Sequence, residues 1–271
     1  MKKLFLLLLI CCSFAHASGE KILIGGGKRA PSILKKMIEL TGDKPIVLVP
    51  LASEIPDEIV GAIKNEFSLL GFLNVEGYKC KAENVDDESC LAQLKNAGLI
   101  FFTGGDQNRL LKAFQNSKAF SLIQELHSSG VHLAGTSAGT AIMSEVMLTG
   151  SPLAPYTEFD GIRPKMVETT KGFGFVKKII IDQHFLKRGR ENRLMSAVLD
   201  RPHLIGVGID EATSIVIHSD ESFDVLGESA VMVIDARKSQ ININNDHYQT
   251  KNLKVDLLSS GEGFSFNNQL N

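Results

Sequence analysis

The 271-residue chain has no excess of positive charge. It carries 29 Lys and Arg against 31 Asp and Glu, for a formal net charge of −2. Nucleic acids are held by clustered basic side chains, so a chain without a basic stripe is not expected to bind them. It has no repeat and no low-complexity tract, which excludes solenoid and fibrous architectures. Its four cysteines and seven histidines never fall at metal-ligand spacing, so no metal is expected. No cofactor is expected either. Long apolar runs are also missing. The longest, residues 4–12, is too short to span a bilayer comfortably.

That run instead completes an export signal. Lys2 and Lys3 supply the basic start, residues 4–12 the apolar centre, and Ala15 and Ala17 a small-residue cleavage site. Residues 1–17 are therefore expected to be removed, leaving 18–271 as one domain. Leu9 and Ile10 are not the small residues that precede a lipidated cysteine, which argues against anchoring through Cys11 or Cys12. The mature chain is expected to be periplasmic or extracellular, free of the membrane, with 27 basic residues against 31 acidic once Lys2 and Lys3 are gone. Cys80 and Cys90 remain. In an oxidising compartment they can pair, and the sequence leaves a disulfide and two free thiols both open.

What is present is an ordinary globular composition, 44% hydrophobic and 22% charged. Short apolar runs at 21–27, 45–53, 74–80, 99–106 and 131–135 alternate with helical patterns at 31–42, 56–71 and 87–98, and with further helix between 108 and 130. In 56–71, Ile59, Ile63, Phe67 and Leu70 fall on one helical face. This β-α-β-α order predicts an α/β fold: a largely parallel sheet with helices on both faces. Residues 177–185 predict another strand, and 204–219 two strands broken at Asp210 and Glu211. From about Phe223 the pattern becomes an antiparallel extension. Ligand sites in such sheets collect at the carboxyl ends of the strands. Glycine-rich turns stand there at 25–27, 104–105 and 135–139.

Residues 135–139 read Gly-Thr-Ser-Ala-Gly, a G-x-S-x-G turn between a strand and a helix. Such a turn lifts a serine hydroxyl above the sheet, and its glycines remove side chains that would clash. Ser137 is thus the candidate nucleophile, and the Ala138 N–H a candidate oxyanion donor. A serine needs a base. His127, His132, His203, His218 and His247 suit packing or surface roles. His184 ends an apolar strand beside Asp182 and Gln183, before the charged segment 187–193. Glu211, at another strand end, is placed to orient it. The order Ser137, His184, Glu211 differs from the serine–acid–histidine order of α/β-hydrolases. Residues 25–30 also fit G-x-G-x-x-A, with Glu54 about where a ribose-binding acid would stand, so a non-catalytic dinucleotide-binding module is the rival pattern.

Four stretches carry a resemblance: "FFTGGDQNRL", "GTSAGTAIMS", "DQHFLKRGRENRL" and "GVGIDEATSIVI". From about Lys21 to Gly227 the chain closely resembles the cyanophycinases. Less closely, it resembles the aspartyl dipeptidases of the same serine peptidase family. The resemblance implies a fold like that of class I glutamine amidotransferases, with serine in place of cysteine. It implies an exopeptidase that cuts a polymer of aspartate bearing arginine on each side chain into β-Asp-Arg dipeptides, and a homodimer as the usual assembly. Carried over by motif, Ser137 is nucleophile, His184 base and Glu211 the orienting acid, with Glu158 or Asp160 as alternatives for the last. Gly105 joins Ala138 as oxyanion donor. Gln107, Asp182, Gln183, Arg188, Arg190 and Arg193 are implied to line the substrate pocket. An arginine such as Arg190 suits an aspartyl carboxylate, and Asp182 suits a guanidinium. A short aspartyl or isoaspartyl peptide is the alternative substrate, because the 151–175 loop matches the family least.

Overall fold

The computed structural model describes residues 18–266; the expected export signal at 1–17 lies outside them. Eight strands form the main sheet: β1 (Lys21–Ile24), β2 (Ile46–Val49), β3 (Val75–Gly77), β4 (Leu99–Phe102), β5 (His132–Thr136), β10 (Thr213–Ile217), β11 (Ser222–Gly227) and β16 (Gly263–Ser265). Their order is β16-β11-β10-β1-β5-β4-β2-β3. The run from β1 to β3 is parallel, and β10, β11 and β16 extend it antiparallel. A second sheet, ordered β15-β12-β9-β8, contains β8 (Ile179–Gln183), β9 (Ile205–Ile209), β12 (Val231–Asp235) and β15 (Lys254–Leu258). Two hairpins complete the strands: β6 (Val146–Pro152) with β7 (Val167–Lys171), and β13 (Gln240–Asn244) with β14 (His247–Lys251).

β2 and β4 are apolar at every position because both of their faces are covered. Side chains alternate across a strand, so the two sets separate cleanly. Ile22, Ile24, Ile46, Leu48, Leu99 and Phe101 pack with Ile33, Leu34 and Met37 of α1 (Pro31–Thr41), and with Ile63 and Phe67 of α2 (Pro56–Ser68). On the other face, Leu23, Val47, Val49, Ile100 and Phe102 meet α3 (Glu88–Asn96), α4 (Gln107–Phe114), α5 (Lys118–Ser128) and the short α6 (Ala138–Ala141). That second core continues into Ile179, Ile181, Val207, Ile209 and Val233 of the smaller sheet. The outer side of the smaller sheet is covered by Leu194, Ala197 and Val198 of α7 (Glu191–Asp200).

The break at Asp210 and Glu211 does more than separate two strands. It carries the chain from β9, in the smaller sheet, to β10, antiparallel to β1 in the main one. Ala212 makes the corner with φ of 54°. The smaller sheet thereby brings the carboxyl end of β8 against the turn that follows β1. Cys80 and Cys90 form a disulfide with a Cα–Cα distance of 6.0 Å.

His127 packs inside α5's interface, its Nδ1 3.1 Å from the Val131 carbonyl and its ring edge-on to Phe175. Burial pushes it down to about 4. The unfolded chain therefore binds a proton near pH 6.5 that the folded chain refuses until about pH 4. Stability from this group is fully present above pH 6.5 and is lost as the pH falls towards 4, by about 2–3 kcal/mol. Urea unfolding at pH 7 and pH 4.5 should show this loss, and His127→Gln should make the pH dependence shallower by that amount.

Candidate active site

Ser137 is the residue between β5 and α6, with φ of 51° and ψ of −114°. Few side-chain-bearing residues adopt this conformation, and it is the one that exposes a side chain at a sharp strand-to-helix turn. Both flanking glycines are sterically required. A Cβ on Gly135 would lie 2.2 Å from the Gly139 carbonyl, and one on Gly139 2.0 Å from that of Phe102. Thr140 fixes the turn to β1. Its hydroxyl lies 2.7 Å from both the Ile24 and Gly135 carbonyls and accepts the Ile24 N–H at 3.0 Å.

His184 follows β8, also with positive φ (51°). Its backbone N–H donates to the Gly25 carbonyl at 2.7 Å, joining the two sheets where their ends meet. Its Nε2 lies 2.8 Å from Ser137 Oγ, and its Nδ1 2.6 Å from Glu211 Oε1. Serine hydroxyl, imidazole and carboxylate thus form one hydrogen-bonded chain. Burial lowers the pKa of His184, and Arg188 and Arg190 lower it further; the hydrogen bond and charge of Glu211 oppose them without reversing the shift. The imidazole is neutral at neutral pH and free to accept a proton.

The turn at 25–27 has a role the dinucleotide pattern does not anticipate: it wraps the histidine and the acid. Gly26 accepts the Ala212 N–H at 3.0 Å, and Gly27 abuts Glu211. Glu54 pairs instead with Arg109, at 3.3 Å. A Cβ on Gly26 would sit 2.2 Å from the Cε1 atom of His184. Gly26→Ala should therefore displace the ring and lower kcat/KM by about 10²-fold or more, since ångström-scale misplacement costs that much. Steady-state kinetics beside a melting curve will separate this from unfolding.

The other expected residues divide. Gly105 has φ of 138°, and a Cβ there would overlap the Ala52 carbonyl. The preceding Gly104 packs against Ser137: a Cβ on it would be 3.4 Å from the serine Cβ. Among the described residues no backbone carbonyl accepts the N–H of Gly105 or of Ala138, the first residue of α6. Arg188 is exposed at the end of the turn after His184. Arg190 is mostly buried, donating to the Gln183 backbone carbonyl at 2.5 Å. Burial, with Arg193 next, lowers its pKa to about 10, which leaves it charged at neutral pH. The Gln183 side chain is buried and its Oε1 has no hydrogen-bond partner among the described residues. Glu158 and Asp160 are exposed, and Asp160 pairs with Arg163 at 3.3 Å. Both ring nitrogens of His184 are already engaged elsewhere.

Three of the residues implied to line the pocket are buried and bonded within the chain. Asp182 is fully buried and its carboxylate is held by both the Nε (2.8 Å) and the terminal nitrogen of Arg193. Arg193 is itself buried and stacks over Phe159 at 5.4 Å. Its guanidinium answers a carboxylate of the chain. Gln107 is buried, and its amide donates to the Leu148 and Thr149 carbonyls, tying β6 to the start of α4. Asp106 caps α4 by accepting the Asn108 N–H.

Sequence reading missed Thr140, Gly26 and Asp210. The Asp210 carboxylate accepts the Lys187 N–H and the Ser229 hydroxyl, holding the turn after His184. Burial pushes its pKa up, but these and neighbouring hydrogen bonds outweigh it and leave the group below its ordinary value. An Asp before the motif glutamate was the only available signal. Among the described residues, no group of three or more His, Cys, Asp or Glu is placed to hold a metal ion, and no helix is long and apolar enough to cross a membrane.

Comparison with known proteins gives the family and the fold. A family model described as "Peptidase family S51" matches residues 21–225. A cyanophycinase of Trichormus variabilis is 32% identical over 228 residues, 81% of this chain and 74% of that protein. One of Synechococcus elongatus is 31% identical over 269 residues, 92% of this chain and 80% of its own. Among solved structures, a peptidase from an acI-B1 Actinobacterium superposes with a TM-score of 0.69 at 25% identity, over 93% of this chain and 98% of its own. A putative peptidase E protein of Listeria monocytogenes, 19% identical with a TM-score of 0.56 over 79% of this chain and all of its own, shares the fold.

Proposed function

The chain belongs to peptidase family S51 and is a serine-type peptidase, and we propose that it is exported and hydrolyses cyanophycin, the arginine-bearing polyaspartate, to β-Asp-Arg dipeptides. The hydrogen-bonded chain from Ser137 through His184 to Glu211 carries this reading. His184 takes the Ser137 proton as the serine attacks a main-chain carbonyl of the polymer. The N–H groups of Gly105 and Ala138 receive the charge that develops on the oxygen. His184 then protonates the leaving amine, and afterwards activates the water that frees Ser137.

The substrate assignment draws on the cyanophycinase relatives and on the residues beside the serine. Each repeat of the polymer presents a carboxylate and a guanidinium. Arg188 and Arg190 suit the carboxylate. Gln183 Oε1, a buried acceptor with no partner, suits a donor from the substrate, since leaving it unpaired costs about 1–3 kcal/mol. Export rests on the leader pattern of residues 1–17 and on the Cys80–Cys90 disulfide, a bond that persists in oxidising compartments.

Incubating residues 18–271 with polymer granules, followed by mass analysis of the soluble fraction, tests the proposal. β-Asp-Arg should accumulate as the main low-mass product. Intact granules together with cleavage of short aspartyl or isoaspartyl dipeptides would move the substrate to the alternative class.

A further inference from the structure

A cleft of about 900 Å³ lies beside, not over, the Ser137 turn, at the carboxyl ends of β2 and β3. We propose that it is a remote subsite that binds the polymer a few repeats from the bond being cut. This rests on the polymer reading above.

Position is the first argument. In the order β5-β4-β2-β3 the cleft stands two to three strands from the serine, about 10–14 Å at ordinary strand spacing. The 103–106 loop links the two. Gly104 packs on Ser137, Gly105 packs on the Ala52 carbonyl, Asp106 donates to that same carbonyl at 3.0 Å, and Ser53 lines the cleft. An extended main chain advances about 3.3–3.6 Å per residue, so a polymer leaving the serine along this edge enters the cleft three to four residues later.

Charge is the second argument. Lys79, Lys81, Arg109 and Lys112 line the cleft together with Glu54 and Asp57. Among the described residues, no carboxylate forms an ion pair with Lys79, Lys81 or Lys112. A site for a polyanion has no use for the acids. A chain that offers a carboxylate and a guanidinium in every repeat matches both signs at once.

Preorganisation is the third. Lys79 and Lys81 flank Cys80, whose disulfide to Cys90 ties their loop to α3. The Lys79 N–H donates to Gln93 Oε1 at 3.1 Å, and the Tyr78 hydroxyl to the Val85 carbonyl at 3.3 Å. The backbone that carries the basic pair is held in place before any ligand arrives, which lowers the ordering cost of binding.

The test compares β-Asp-Arg oligomers of two and of about eight repeats, using wild type and the double variant Lys79→Glu/Lys81→Glu. Both lysines are exposed, so the fold should tolerate the change, and melting curves verify it. Wild type should prefer the long oligomer. The variant should lose about tenfold in kcat/KM on it, mainly through KM, and nothing on the short one. A variant that keeps the length preference, or loses equally on both lengths, overturns the subsite alone. A wild-type enzyme inert on both lengths overturns the functional reading, and the subsite with it.

Discussion

Ser137→Ala should lower kcat on the polymer by about 10³-fold or more while leaving KM and the melting temperature nearly unchanged. The variant deletes one oxygen. That oxygen sits 2.8 Å from His184 Nε2, and no other hydroxyl in the described residues bonds to this imidazole. The turn itself survives. Its geometry comes from Gly135, Gly139 and the Thr140 hydroxyl, whose contacts are backbone ones, and alanine tolerates φ of 51° no worse than serine. Residual catalysis would come from the oxyanion donors and from binding, as in other serine peptidases stripped of their nucleophile. Initial rates of dipeptide release, with circular dichroism melts of both proteins, measure the two halves of this expectation.

Glu211→Gln should cost about 10³- to 10⁴-fold in kcat, because an amide in place of the carboxylate favours the wrong tautomer. Glu211 accepts from Nδ1–H and so leaves the Nε2 lone pair facing Ser137. A glutamine can instead donate to Nδ1, which puts the proton on Nε2 and blocks the base. The pH profile adds a signed check. The base must be neutral, so wild-type kcat/KM should fall as the pH drops through the His184 pKa, which lies below 6.5 because burial outweighs the carboxylate. Glu211 is the group that raises that pKa. Removing its charge should move the acidic limb of the residual activity to lower pH. Glu211→Asp, which keeps the charge, should retain more activity than Glu211→Gln.

Much of the fold was legible because the main sheet is covered on both faces. Strands such as Ile46–Val49 and Leu99–Phe102 are apolar throughout, and α2 shows its buried stripe at Ile63 and Phe67. The hydrogen-bonded trio was legible for a different reason: Ser137, His184 and Glu211 each end or follow a strand, where a sheet collects its reactive side chains. The change of sheet at 210–212 was not. A two-residue break between apolar runs looks the same whether the strands pair or part. The fate of the charged residues was equally hidden. The family resemblance implies that Asp182 and Arg193 line one pocket, but not that they satisfy each other. The triple glycine at 25–27 fitted a dinucleotide-binding pattern, and only the fold reveals that Gly26 makes room for an imidazole and Gly27 for the Glu211 side chain.

The most direct measurement is covalent labelling with a serine-directed fluorophosphonate, mapped by peptide mass spectrometry and run beside polymer hydrolysis. A single adduct on the peptide containing Ser137, forming in step with loss of hydrolysis and absent in His184→Ala, is the predicted result. An adduct on another residue, or full hydrolysis persisting after Ser137 is labelled, would contradict the mechanism.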